Sequence, residues 1–157
     1  MNKDKIIFST KDGWIYLTFQ VEDEIKIKLS ASYLDDIPLI WLNSISANLR
    51  DKIPFILKGD SEGSKFSIIE SDEGLLVIIE DTGGYELNCF GSIFLPKISK
   101  KELIEEILSG IEIYLEEMIA WNSGGLSNEN KMKRKKLILN KIEECNKYLK
   151  EGKTECL

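Results

Sequence analysis

The sequence predicts an α+β fold, an antiparallel sheet of about six to seven strands with two C-terminal helices packed on it. Three observations lead to this prediction. Short apolar runs separated by turn residues recur about every ten residues, which is typical of antiparallel strands. One helical pattern interrupts these runs early, and two long amphipathic patterns follow them. With 157 residues, one domain can bury its core without a metal or a disulfide.

Seven segments are predicted to be strands. The third alternates apolar and charged residues, as a strand with one buried face does. Turn signals such as Lys11-Asp12-Gly13 and Ser71-Asp72-Glu73-Gly74 separate neighbouring segments, which favours hairpins. The expected strands cover residues 5–9, 14–20, 25–31, 53–58, 65–70, 75–80 and 85–95.

The first predicted helix covers residues 37–50 and follows the initial three-stranded meander. Asp35 or Asp36 is placed to cap it, and Pro38 suits its first turn. Trp41 lies beside the main apolar stripe of this helix. We therefore expect Trp41 to point partly outward, as an interface anchor would.

The two C-terminal helices are predicted over 100–121 and 128–150. Ser99 and Glu102 form a capping-box pattern at the start of the first. The second has a narrow apolar stripe, which we expect to dock it on the rest of the protein and to end before a frayed tail over 151–157. The stripe consists of Ile138, Ile142, Cys145 and Leu149.

Charge divides the chain into two parts. Residues 1–123 have a net charge of −10 and residues 124–157 one of +4, which together give −6. We interpret this as an acidic α+β domain with a basic C-terminal helix docked on it. The basic run 131–136 is expected to pair with the acidic face of the preceding helix, formed by Glu102, Glu105, Glu106, Glu112, Glu116 and Glu117.

The absence of histidine excludes catalytic triads, Cys-His proteases and His-ligated metal sites. The three cysteines form no CxxC pair, which favours free thiols in a reducing compartment. The first residues have too few consecutive apolar residues for a signal-peptide core, and no stretch approaches the length of a membrane span, so we expect neither. We expect a cytoplasmic protein that needs no cofactor or metal.

Carboxylates provide the only candidate catalytic groups. Asp81-Thr82-Gly83 matches the aspartic-protease tripeptide, but a single copy would need a homodimer, and a hairpin turn explains it better. Glu70-Asp72-Glu73 and Glu80-Asp81 lie at opposite ends of one predicted strand and lack EF-hand spacing. A carboxylate-dependent enzyme therefore stays open as an alternative.

Two stretches resemble small cytoplasmic immunity proteins of bacterial polymorphic-toxin and contact-dependent growth inhibition systems. They are LSASYLDDIPLIWLNSI (29–45), and GLLVIIED (74–81) followed by the helix SKKELIEEILSGIEIYLEEM (99–118). The resemblance implies a non-catalytic protein that binds one cognate toxin domain and covers its active site. An acidic inhibitor suits a basic toxin. We expect a protein partner, not nucleic acid or membrane, and a monomer or weak dimer.

Exposed acids and aromatics near turns are the residues predicted to contact the toxin. They are Asp35, Asp36, Trp41, Glu70, Asp72, Glu73, Glu80, Asp81, Tyr85 and Glu86. A second alternative is an acidic cytoplasmic chaperone for a secreted effector, which would bind an unfolded segment. A third is a structural subunit that assembles through its C-terminal helices.

Overall fold

A computed structural model of the protein describes residues 4–22, 24–32, 36–61, 64–81, 89–122 and 127–155. The strands within these residues are β1 (Lys5–Lys11), β2 (Trp14–Val21), β3 (Glu24–Ser32), β4 (Ile56–Ser61), β5 (Ser64–Ser71), β6 (Gly74–Asp81) and β7 (Cys89–Leu95). The helices are α1 (Ile37–Asp51), α2 (Lys100–Ile113), α3 (Leu115–Asn122) and α4 (Asn128–Glu155). The predicted α+β class is confirmed.

The strands form two antiparallel sheets, so the prediction of a single sheet is wrong. Sheet A has the order β1-β2-β3, and sheet B has the order β4-β5-β6-β7. β3 and β4 lie side by side, but no backbone ladder joins them within the described residues. A Cβ at Gly59 would lie 3.2 Å from the Ala31 Cβ, so the two strands approach closely. Each hairpin is specified by residues that are close together in the sequence. The junction between β3 and β4 instead joins segments that α1 separates in the chain.

Trp41 lies where the inner faces of the two sheets meet, and its predicted exposure is wrong. The side chain is 0% exposed, and its indole N–H donates to the Lys58 carbonyl at 2.7 Å. Its ring lies edge-on to Phe8 of β1 and to Phe66 of β5, at 6.5 and 6.4 Å between centroids. The apolar side chain of α1 that does face outward is Ile40, which is 45% exposed.

The helix predicted over 100–121 consists of two helices. The capping box at its start is confirmed, because the Glu102 N–H donates to Ser99 Oγ at 3.1 Å and the Ser99 N–H donates to the Glu102 carboxylate at 3.0 Å. Tyr114 separates α2 from α3, with φ −99° and ψ 13°. Its ring stacks on Phe8, with 6.1 Å between centroids, so the break lies against β1.

The predicted packing of both C-terminal helices on one sheet is not confirmed. α2 packs along β1, whereas α4 packs mainly on α1 and also touches α2 and α3. Cys145 is buried as predicted, and its thiol lies 3.7 Å from the Leu42 carbonyl of α1. α4 continues to Glu155, beyond the predicted end at 150. Neither α4 nor any other described helix has the apolar run that crossing a membrane requires.

Candidate protein-binding surfaces

The ten residues predicted to contact a partner do not form one surface. Trp41 belongs to the core. Asp35, Tyr85 and Glu86 lie outside the described residues, as does the side chain of Asp81. The others occupy three separate places in the fold and are Asp36, Glu70, Asp72, Glu73 and Glu80.

Asp36 holds two helices together. Its carboxylate contacts the Arg134 guanidinium of α4. Burial raises the pKa of Asp36, although the charge of Arg134 acts in the opposite direction. Asp36, one of the two predicted candidates, is the N-cap residue of α1, and its carbonyl accepts from the Ile40 N–H at 2.9 Å. Its carboxylate forms no side-chain cap hydrogen bond, although the nearby Leu39 N–H, like Arg134, acts to lower its pKa. Asp36 is therefore an internal tie between α1 and α4.

The other four acids lie at the two ends of the β5–β6 hairpin. Glu70 pairs with Lys100 of α2 at 3.2 Å. Asp72 and Glu73 form the exposed turn, and neither carboxylate has an ion-pair partner among the described residues. Glu80 is exposed on β6, seven residues from Glu73. At roughly 3.3 Å per strand residue, this separation is about 23 Å. The acids thus border the hairpin at both ends.

An apolar row crosses the outer face of sheet B, the face turned away from the core. Cross-strand pairing places Ile56 opposite Ile69, Ile69 opposite Leu76, and Leu76 opposite Phe94. Ile56 and Phe94 are 41% and 42% exposed, and the two residues between them are partly exposed. No described helix packs extensively on this face. We call these four residues the apolar row.

The rest of the outer face of sheet B is mixed and balanced in charge. The next row contains Lys58, Ser67, Ile78 and Ser92. The row after it contains Asp60, Lys65 and Glu80. Two cations and two anions therefore share this part of the face, within a protein whose net charge is −6.

The apolar row was not predicted, although the sequence contains a signal for it. Residues 75–79 are five consecutive apolar residues, a pattern typical of a strand that is covered on both faces. Among the described residues, the core covers one face of β6. The other face carries Leu76 and Ile78, which are partly exposed.

A groove of about 350 Å³ lies between the start of α1 and sheet B. Ile37 and Ile40 line one side of it, and Lys65 and Glu80 line the other. The groove places one predicted contact residue, Glu80, near the exposed Ile40. It extends the candidate surface from the sheet onto α1.

The basic run of α4 pairs with the preceding helices less than predicted. Of the six glutamates expected to pair with it, only Glu116 does so among the described contacts, with Lys135. The other pairs of this run are Arg134 with Asp36 and Lys133 with Glu129. Several of the remaining glutamates have structural contacts elsewhere, because α2 packs on β1 and not along the basic run.

The described residues contain no group of three or more His, Cys, Asp or Glu side chains placed to hold a metal ion. Glu70, Asp72 and Glu73 stand at one end of the hairpin and Glu80 at the other, as the sequence indicated. Comparison with known proteins gave no match to a family model, to a curated protein or to a solved structure.

Proposed function

We propose that this protein binds a basic toxin domain through the outer face of sheet B and neutralises it without catalysing a reaction. The observation that carries the proposal is the apolar row, whose two end residues are 41% and 42% exposed. Burying an apolar side chain fully contributes about 1.5–3 kcal/mol. A contiguous exposed apolar patch of this kind is typical of an interaction site.

Charge supports a basic partner. Exposed Asp72 and Glu73 stand at one end of the hairpin that carries the row, and Glu80 stands at the other. The protein as a whole has a net charge of −6. A positively charged partner would be steered towards this face and would associate faster at low salt.

The identity of the partner as a toxin rests on the resemblance of residues 29–45, 74–81 and 99–118 to immunity proteins. A cytoplasmic location belongs to the same proposal. An effector chaperone would use the apolar row to hold an extended segment instead, so the folded state of the partner distinguishes these two functions.

The first experiment uses the purified protein as bait in a lysate of its own source cells, at low and at high salt. We expect one folded, basic partner whose retention falls as salt screens the attraction. The partner is then assayed alone and with one equivalent of this protein, which should abolish its activity. Capture of an unfolded segment favours the chaperone, and an active complex contradicts the proposed inhibition.

A matched pair of variants tests the surface. Ile56→Thr combined with Ile69→Thr should weaken binding of the captured partner at least tenfold, because about 1 kcal/mol or more of apolar burial is lost at each position. Ile7→Thr is the control, because Ile7 is 38% exposed but lies on sheet A. Equal affinity of the two variants would exclude the outer face of sheet B as the binding surface.

Asp81→Asn separates the proposed function from a carboxylate-dependent enzyme. Inhibition of the partner should not depend on a catalytic carboxylate, so this variant should still inhibit when supplied in excess, even though loss of the predicted Asp81 contact would weaken binding. Loss of a hydrolytic activity in a folded Asp81→Asn protein would support the enzyme instead.

A further inference from the structure

Among the described residues, β7 is an edge strand that lacks the charge, proline, bulge or covering helix by which natural edge strands are usually protected. Its seven residues, Cys89–Leu95, include no charged residue and no proline, and its register with β6 contains no bulge. β6 is its only pairing partner among the described residues, and no described helix packs extensively along its other side. Edge strands are usually covered, charged or distorted, because their free backbone groups otherwise pair with another chain.

The strand register identifies the backbone groups on the free side of β7. The β5–β6 turn has two residues, so Ser71 and Gly74 are a hydrogen-bonded pair and alternate pairs follow across the sheet. The N–H and C=O of residues 90, 92 and 94 then face away from β6. The same rule applied to the β1–β2 hairpin puts the Phe8 N–H on the free side of β1, where it donates to Glu106 at 3.0 Å.

We propose that β7 pairs with β7 of a second copy of this protein, antiparallel and about a two-fold axis at Ser92. The two four-stranded sheets would then form one sheet of eight strands. All seven residues of each strand are paired in this register, with Ser92 opposite Ser92 of the second copy. Because residues 90, 92 and 94 face the free side, each finds a backbone partner on the other strand.

The side chains on the inner face fit the same register. Ile93 of one copy lies opposite Gly91 of the other. A Cβ at Gly91 would meet no atom within 4 Å, so open space is available beside it. The larger side chain of one strand therefore faces the smallest residue of the other, on both sides of the axis.

The charge pattern favours a second copy over a charged partner at this edge. Two copies with a net charge of −6 repel each other over most of their surfaces. Pairing through β7 places no like charges opposite each other, because the strand has none. The nearby outer-face charges of Lys58, Asp60, Lys65 and Glu80 are balanced. A basic partner would find no acid on this strand.

Salt separates this inference from the proposed function. Self-association through β7 should persist or strengthen as salt rises, because salt screens the remaining repulsion between two acidic copies. Binding of a basic toxin should weaken under the same conditions. Each proposal can therefore fail while the other stands.

The test is analytical ultracentrifugation of the full chain over a range of concentrations at low and high salt. The apparent mass should rise from that of the 17.9 kDa chain towards twice that value. Ser92→Lys and Ser92→Glu each place like charges opposite each other at the axis. Each variant alone should lower the association constant about fivefold or more. An equimolar mixture of the two should restore association.

Ser67→Lys is the matched control, because Ser67 lies in the same row of the outer face but on the interior strand β5. It should associate as the unmodified protein does, and circular dichroism at low concentration should show all variants folded. A monomer at every concentration would overturn the proposal. So would Ser92 variants that associate normally, or a mixture that stays monomeric.

Discussion

The outer edges of the two sheets differ in how their free backbone groups are satisfied. At β1, the Phe8 N–H donates to the Glu106 carboxylate at 3.0 Å, and Thr10 Oγ1 donates to Glu117 at 2.6 Å. α2 and α3 thus close this edge with side chains. β7 has no such cover among the described residues. An added strand at β1 would displace a helix, whereas no described helix lies along β7, where pairing with a second copy is proposed.

The outer faces of the two sheets also differ, in the side chains that they expose. On sheet A, pairing places Tyr16 opposite Ser9 and Ser30, and the Lys28 ammonium lies 4.5 Å from the centre of the Tyr16 ring. The corresponding face of sheet B carries the apolar row. The outer face of sheet A has isolated apolar residues such as Ile7 among polar ones, whereas that of sheet B carries a contiguous apolar row beside its charged residues. This difference is the basis for proposing sheet B as the binding surface.

The largest expected effect tests the core that the two sheets share. Trp41→Ala should lower the free energy of unfolding by about 3–5 kcal/mol, because it removes a fully buried ring that contacts both sheets. Urea unfolding followed by circular dichroism should show one transition at a lower midpoint. A loss below about 1 kcal/mol, or separate transitions for two units, would contradict a common core.

The second effect tests the contact between α2 and β1. A Cβ at Gly110 of α2 would lie 2.3 Å from atoms of the Phe8 side chain. Gly110→Ala should therefore destabilise the protein by about 1–3 kcal/mol, although alanine favours helices. Gly152→Ala is the control, since a Cβ there meets nothing within 4 Å, and it should be neutral or stabilising. Stabilisation by both variants in thermal unfolding would show that α2 does not approach β1 so closely.

The third effect opens the β1 edge directly. Glu106→Ala removes the acceptor of the Phe8 N–H and should cost about 1–2 kcal/mol, because a partly buried donor loses its partner. Glu105→Ala on the same helix should change stability by less than about 0.5 kcal/mol, since Glu105 has only an exposed ion pair with Lys101. Equal costs in urea unfolding would mean that β1 does not depend on this contact.

The smallest effect concerns α4, which covers neither edge. Burial, and after it the charge of Glu144, raises the pKa of the Cys145 thiol to about 11 from its ordinary value of 9.0. The stability that depends on the neutral thiol is therefore complete below pH 9.0 and is lost as pH rises through about 11. Raising the pH from 8 to about 11 should cost the unmodified protein on the order of 1 kcal/mol more than Cys145→Ala.

Urea unfolding of both proteins at the two pH values provides the measurement. Other groups that titrate in this range are shared by the two proteins and cancel in the difference. An equal loss in both would show that the thiol ionises in the folded state as readily as in water.

Local features of the fold could be predicted from the sequence. Strand and helix segments, the Ser99 capping box and the burial of Cys145 follow from side-chain periodicity and from residues a few positions apart. Predictions that depended on a residue far away in the sequence were less successful. Asp35 or Asp36 was predicted to cap α1, and Asp36 is the N-cap residue, but the sequence did not indicate that Arg134 of α4 pairs with its carboxylate.

The candidate surface was predicted only in part, for the same reason. Glu80 and the acids of the β5–β6 turn lie near the apolar row, so those acids border the surface that we propose for binding. The run 75–79 indicates that β6 has two apolar faces, but the sequence does not show which of them the core covers. Only the placement of the helices decides which face stays open.

The sequence by itself determined the α+β class, the antiparallel hairpins and the amphipathic helices, because these depend on the repeat of apolar residues along the chain. The tertiary structure decided that the strands form two sheets, that Trp41 lies between them, and that helices close β1 while no described helix lies along β7. These outcomes depend on which distant segments share the core. Which segments share the core depends on the whole chain. A helix that covers one face or edge of a sheet cannot cover another at the same time.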